Sequence, residues 1–168
     1  VGLDAETRQL TLDNGDSLAY DRLVLATGAT PRALAGTADM RGVFKLRDPG
    51  DARRLRAAAR TARAALVIGG GYIGLEVAAS LTKAGKAVTV IEAAPRLLAR
   101  VASPPISAFF EDRHTDAGVD VITGMSVTDI NHQNGEFTGA TLENGRQIDA
   151  DMLVVGIGVV PNTDLAAQ

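Results

Sequence analysis

An α/β fold built on a parallel β-sheet, with helices on its faces and an antiparallel β-meander inserted, is predicted by three features of the 168-residue sequence. Two apolar runs, 64–68 (AALVI) and 87–91 (AVTVI), flank a segment of helical periodicity, which is the pattern of a strand, a crossover helix and a parallel strand. Three glycines, Gly69, Gly71 and Gly74, stand where the first run meets the helical segment. Later, Asn134-Gly135 and Asn144-Gly145 punctuate short alternating stretches, as tight hairpin turns do.

Composition narrows the field. Hydrophobic residues make up 46% of the chain and charged ones 22%, which suits a packed core and excludes a disordered polyelectrolyte. A net charge of -3 offers no basic field for nucleic acid, and no apolar run approaches the roughly 18 residues of a membrane span. A soluble, cytoplasmic protein without nucleic-acid or membrane partners is therefore expected. With no cysteine, these residues hold no disulfide, thiol nucleophile or thiolate-bound metal. The length fits one domain, or one domain with part of another. The chain opens on Val1 and reads at once as alternating strand, so it is expected to be a piece of a longer protein.

From Gln9 to Leu18, two strand-like stretches flank Asn14-Gly15 and predict a hairpin. Residues 20–26 (YDRLVLA) read as a buried strand entering a turn at Thr27-Gly28, and Pro31, Arg32 and Gly36 read as a linker. A helix is expected from Asp48 to Arg63, with Asp48 as N-cap and Pro49 at the first position. Its arginines, Arg53, Arg54, Arg56, Arg60 and Arg63, read as a solvated face. Strand 64–68 leads into a helix from about Tyr72 to Ala84, whose apolar face is expected at Ile73, Val77, Leu81 and Ala84 and whose stop is Gly85. After strand 87–91, a further helix runs from Pro104 to about Ala117, with Ser103 as N-cap and Gly118 as stop; Ile106, Phe109, Phe110 and Arg113 are taken to mark its inner and outer faces. Strand 119–122, the meander and a last buried strand, 152–155, end at Gly156-Ile157-Gly158 and Pro161.

The stretch VIGGGYIGLE places Gly69, Gly71 and Gly74 in the G-x-G-x-x-G pattern directly after a strand and before a helix, the setting of a Rossmann dinucleotide site. The first glycine permits the tight turn, the second lets a pyrophosphate approach the backbone, and the third lets helix and strand pack closely. The loop residues Gly70, Tyr72 and Ile73 complete the turn, and the helix N-terminus directs free N–H groups at the phosphates. Glu92 closes the next strand, where a carboxylate can accept bonds from both ribose hydroxyls. A 2'-phosphate would meet it as a like charge, so NAD(H) is expected over NADP(H). Arg96 and Arg100 follow within reach of pyrophosphate or ribose, although both also fit as surface arginines. His114 and His132 have no Asp or Cys constellation around them in sequence; they read as surface or packing residues, and no metal site and no catalytic side chain is identified.

Four ordered segments, YDRLVLATGATPR, LVIGGGYIGLEVAASL, VIEAAPRLLARVASPPISAFFEDRH and DMLVVGIGVVPN, resemble the FAD-dependent pyridine nucleotide-disulfide reductase superfamily, and within it ferredoxin reductases of the putidaredoxin reductase and rhodocoxin reductase kind. The resemblance implies an oxidoreductase in which NADH gives a hydride to bound FAD, a flavoprotein that then passes electrons to a 2Fe-2S ferredoxin. It assigns Glu76 to the nicotinamide end, Gly156, Ile157, Gly158 and Pro161 to the loop over the nicotinamide, and Thr27 and Gly28 to a turn beside the flavin nucleotide. On this reading residues 1–31 are a remnant of an FAD-binding domain and 32–168 are the NAD(H)-binding domain, flavin-free and without turnover by itself. The same superfamily holds NADH oxidases and coenzyme A disulfide reductases, and non-catalytic modules resembling apoptosis-inducing factor; these are the alternatives.

Overall fold

A computed structural model describes residues 1–168 and divides them into two compact units, 1–30 with 159–168, and 31–158. The expected division fell after residue 31 and left the last ten residues with the larger part; they belong instead to the smaller unit.

The smaller unit holds an antiparallel sheet of β1 (Gly2–Asp4), β2 (Gln9–Thr11) and β3 (Ser17–Ala19), in that order. Gly15, at φ +86°, closes the predicted hairpin between β2 and β3. β4 (Ala29–Pro31) pairs with the last strand, Val159–Pro161. Residues 20–26, expected as a buried strand, form none, and Val24 is 86% exposed. An apolar run makes a strand only where a neighbouring strand accepts its backbone groups, and no strand pairs with this segment.

The larger unit is the predicted α/β core. Its elements are β5 (Val43–Phe44), α1 (Pro49–Ala59), β6 (Ala64–Ile68), α2 (Tyr72–Lys83), β7 (Ala87–Glu92), α3 (Pro104–Asp116), β8 (Asp120–Thr123), β9 (Val127–Gln133), β10 (Glu136–Leu142), β11 (Gln147–Asp149) and β12 (Met152–Val155), and the chain then enters the smaller unit with β13 (Val159–Pro161). β5, β12, β6, β7 and β8 form one sheet in that order, and every neighbouring pair in it is parallel. β9, β10 and β11 form the predicted antiparallel meander.

The period of two along β6 and β12 sorts the core into two layers. Ala65, Val67, Met152 and Val154 face a cluster with Leu75, Ala78 and Leu81 of α2, joined by Leu55 of α1 and Phe110 of α3. Leu66, Ile68, Leu153 and Val155 face the other way, onto Phe137, Ala140, Leu142 and Ile148 of the meander. Helices therefore cover one face of the sheet and the meander covers the other. Each fully buried Leu or Val contributes about 1.5–3 kcal/mol.

Local signals explain the helix boundaries. Asp48 caps α1 by accepting the Asp51 N–H at 2.8 Å, and this bond holds its carboxyl below the usual aspartate range. All five arginines of the α1 region are exposed, as predicted. α2 ends in a Schellman motif: Gly85, at φ +76°, donates to the Thr82 carbonyl and Lys86 to that of Leu81. Gly118 and Val119 repeat the motif after α3. The Ser103 backbone takes the N-cap position of α3, but its side chain makes no capping bond.

Two helix faces differ from expectation. The buried stripe of α2 is Gly74, Leu75, Val77, Ala78 and Leu81, whereas Ile73 is exposed at the mouth of the glycine loop and Ala84 is exposed at the C-terminal end. On α3 the buried residues are Ser107 and His114, while Ile106 and Phe109 face outward, Phe109 with its ring edge-on to Phe110. His132 is exposed on β9, opposite Phe137, as a surface residue.

Candidate dinucleotide site

The glycine loop lies at the carboxyl end of β6, where parallel strands of an open sheet present their ligands. Gly69 turns the chain at φ +111°, a left-handed value that disfavours any side chain, and donates its N–H to the Ile91 carbonyl at 2.8 Å. A β-carbon on Gly69 would overlap the carbonyl oxygen of Gly156, and one on Gly74 would overlap that of Gly69. Gly156 is itself bonded to β6, its N–H donating to Ile68 at 2.8 Å. Two glycine turns about half the chain apart thus meet backbone to backbone, and it is Gly69 and Gly74 that must lack side chains for the approach.

Gly71 is different. A β-carbon there would have no heavy atom within 4 Å. It is the N-cap of α2, it offers no side chain to the first-turn N–H groups, and no acidic residue stands in that turn to occupy them. Open space beside a helix N-terminus with unfilled donors suits an anion such as a pyrophosphate.

Glu92, half-buried at the end of β7, flanks the loop. Its Oε2 accepts the Gly70 N–H at 2.7 Å and its Oε1 accepts the Ala94 N–H at 2.8 Å. A β-carbon on Gly70 would fall 2.6 Å from Leu97 Cδ2 and 3.0 Å from Glu92 Cβ, so Gly70 is needed for the carboxylate to come so near. The loop's central glycine therefore serves the acidic residue, and Gly71 the open approach.

The structure distributes the remaining predicted residues as follows. Tyr72 is 54% exposed at the start of α2, and Glu76 is exposed one turn further on. Gly156, Ile157 and Gly158 are half-buried; Gly158 has φ +100°, and a β-carbon there would lie 3.6 Å from a terminal nitrogen of the exposed Arg100. Arg100 thus brings positive charge to the glycine turn after β12. Arg96 does not reach out for a ligand: its guanidinium is spent on the Ala99 and Ala102 carbonyls and the Ser107 hydroxyl. Arginine at this position answered the charge of a phosphate in sequence, but in the fold it answers backbone oxygens.

Thr27 and Gly28 lie in the smaller unit, where Asn162 holds their turn. The Thr27 hydroxyl donates to the Asn162 carbonyl, the Asn162 amide donates to the Thr27 carbonyl at 2.9 Å, and its Oδ1 accepts from the Thr30 hydroxyl at 2.9 Å. Asn162 went unread in sequence because its partners are more than 130 positions away. Pro161 ends β13 and is exposed. No group of acidic, histidine or cysteine side chains is arranged to hold a metal. No helix is long and apolar enough to cross a membrane.

The family model described as pyridine nucleotide-disulphide oxidoreductase matches residues 1–168. The chain is 42% identical to putidaredoxin reductase of Pseudomonas putida over 99% of its own length and 41% of the relative's, and 42% identical to rhodocoxin reductase of Rhodococcus erythropolis over 99% and 39%. It superimposes on the crystal structure of a ferredoxin reductase from Rhodopseudomonas palustris with a TM-score of 0.92 at 41% identity, covering 99% of this chain and 42% of that one. The chain therefore spans about two-fifths of the length of the curated relatives it matches. It belongs to the pyridine nucleotide-disulphide oxidoreductase family, and within that family its similarity is to the ferredoxin reductases.

Proposed function

We propose that this chain is the NADH-binding part of a cytoplasmic, FAD-dependent ferredoxin reductase that draws a hydride from NADH and serves a 2Fe-2S ferredoxin. The observation that carries the reading is the contrast within one loop: Gly69, Gly70 and Gly74 are each closed by neighbouring atoms, whereas Gly71 faces open space at the α2 N-terminus.

The residues suit the cofactor. The first-turn N–H groups of α2 would take the pyrophosphate, and the glycine at 71 leaves room for it. Glu92, with one backbone N–H on each carboxylate oxygen, would accept the ribose hydroxyls on its remaining lone pairs and repel a 2'-phosphate. Gly156, Ile157 and Gly158 would line the nicotinamide end with Arg100 beside them, and Glu76 would approach it from α2. When bound, NADH supplies the hydride and FAD splits it into single electrons. In the longer enzyme, Thr27 and Gly28 would contact the flavin nucleotide. The 168 residues by themselves are proposed to bind NADH without turning it over.

Titration of the purified chain with NADH and with NADPH, followed by nicotinamide fluorescence, tests this, with the visible spectrum recorded first. The expected result is a colourless protein that binds NADH in preference. Equal or better binding of NADPH would overturn the role given to Glu92, and binding of neither would overturn the nucleotide reading.

A further inference from the structure

The loop that carries the site is held from outside itself. Leu98 is a non-glycine residue at φ +54°, a left-handed conformation that side-chain-bearing residues rarely adopt. In that conformation its N–H donates to the Gly70 carbonyl at 2.9 Å. Its neighbour Leu97, fully buried, lays its side chain against Gly70, whose own N–H is held by Glu92. Gly70 is therefore gripped on both sides, by Glu92 at its nitrogen and by the 97–98 turn at its oxygen.

Two polar side chains hold that turn. The Ser107 hydroxyl, on a residue only 1% exposed, donates to the Leu97 carbonyl at 2.5 Å and accepts from Arg96 at 2.6 Å. The Arg96 guanidinium also donates to the Ala99 and Ala102 carbonyls at 2.9 and 2.8 Å. Every carbonyl involved belongs to the 97–102 turn, and the turn adds its own bonds from Val101 and Ala102 to the Leu98 carbonyl. A serine in the buried stripe of α3 and a half-buried arginine thus fix a strained turn whose only outward bond in this set goes to the central glycine of the nucleotide loop.

We propose that Arg96 and Ser107 are positioning residues for the dinucleotide site: without touching the ligand, they hold Leu98 left-handed and so set the place of Gly70 and the Glu92 carboxylate. The inference rests on the nucleotide reading above and assigns Arg96 a role opposite to that of a phosphate contact. Removing the Ser107 hydroxyl leaves the Leu97 carbonyl and one Arg96 N–H unpaired in a buried setting, which is enough to release the turn.

The test uses Ser107→Ala, Arg96→Met, the double variant and Ser107→Thr, which keeps the hydroxyl. NADH affinity is measured well below each melting temperature, and amide hydrogen exchange is read at Leu98 and Gly70 against strands β6 and β7. The expected result is about a tenfold loss of NADH affinity in either single variant, no further loss in the double, and restoration by threonine. Leu98 should exchange faster while the strand amides keep their protection, a pattern that a general loss of stability would not give. Unchanged Leu98 exchange or unchanged affinity in a folded Ser107→Ala variant overturns the proposal, as does a loss confined to Arg96→Met, which would make Arg96 a ligand contact. Should the starting chain bind no dinucleotide, the proposed function fails; Leu98 exchange then still decides whether the two side chains hold the loop.

Discussion

Gly74 and Gly69 meet so closely that a methyl group on Gly74 would occupy the position of the Gly69 carbonyl oxygen, with Val67 Cγ1 a further 3.3 Å contact. The approach sets how near helix α2 lies to strand β6, and hence where its N-terminal donors point. Gly74→Ala should push the helix from the sheet and lower stability by about 1–3 kcal/mol, the usual cost of overpacking. Gly71→Ala is the informative contrast, because Gly71 has φ −84°, which alanine adopts freely, and nothing stands within 4 Å of the new methyl group. Its melting temperature should stay within a degree or two, on the order of what a surface change gives, while NADH affinity falls. Thermal melts paired with NADH titrations check both, and a Gly71→Ala variant that binds normally would move the pyrophosphate elsewhere.

Glu92 holds two backbone N–H groups, Gly70 and Ala94, with its two carboxylate oxygens. Glu92→Ala therefore removes a ribose acceptor and loosens the loop together. NADH affinity should fall by about tenfold, the scale of a lost charged hydrogen bond, and NADPH should lose less, since its 2'-phosphate no longer meets a like charge. The measured quantity is the ratio of the two dissociation constants in parent and variant. A ratio that does not move would remove Glu92 from the ribose.

The βαβ unit was legible because its signals are local and redundant: apolar runs, glycines at fixed offsets, and left-handed stops at Gly85 and Gly118. The glycine loop and Glu92 were legible for the same reason. Residues 20–26 misled because an apolar run signals burial and says nothing of which strand would pair with it. α3 was harder to read because its buried stripe runs through Ser107 and His114 while Ile106 and Phe109 turn outward and only Phe110 of its large apolar residues packs on the core. Arg96 carries its meaning in contacts with carbonyls that no residue type announces. What stayed hidden is long-range backbone satisfaction, as with Asn162 and the turn at Thr27.

Asp151, in the turn between β11 and β12, ties the start of β6 by accepting from the Ala64 and Arg63 N–H groups at 2.9 and 2.6 Å. Those bonds favour the charged form and lower its pKa from 3.8, the Ala64 bond most. A carboxyl depressed on folding adds stability that is complete above the unfolded value and is lost as pH falls through the folded one. Asp151→Ala should therefore melt at lower temperature than the parent at neutral pH, with the two curves converging once the pH is well below 3.8. Melting curves taken across the acid range check this, and a constant offset down to the lowest pH would show that the carboxylate's charge is not what the strand uses.

His114 is buried in α3 with no hydrogen bond to its ring, and burial lowers its pKa from 6.5. The unfolded chain takes up a proton near 6.5 that the folded chain accepts only at lower pH, so the stability present above that value declines as pH falls toward the folded pKa. The sign is that of a group held neutral by its surroundings, and it acts in a range where most carboxylates are still ionised, which separates it from Asp151. His114→Gln, polar and without a titrating proton, should flatten the dependence of the urea midpoint on pH between about 7 and 5, the window where an ordinary histidine titrates. If the parent and the variant keep parallel profiles through that window, the ring is protonated in the folded protein as readily as in the unfolded one, and the buried face of α3 must admit water to it.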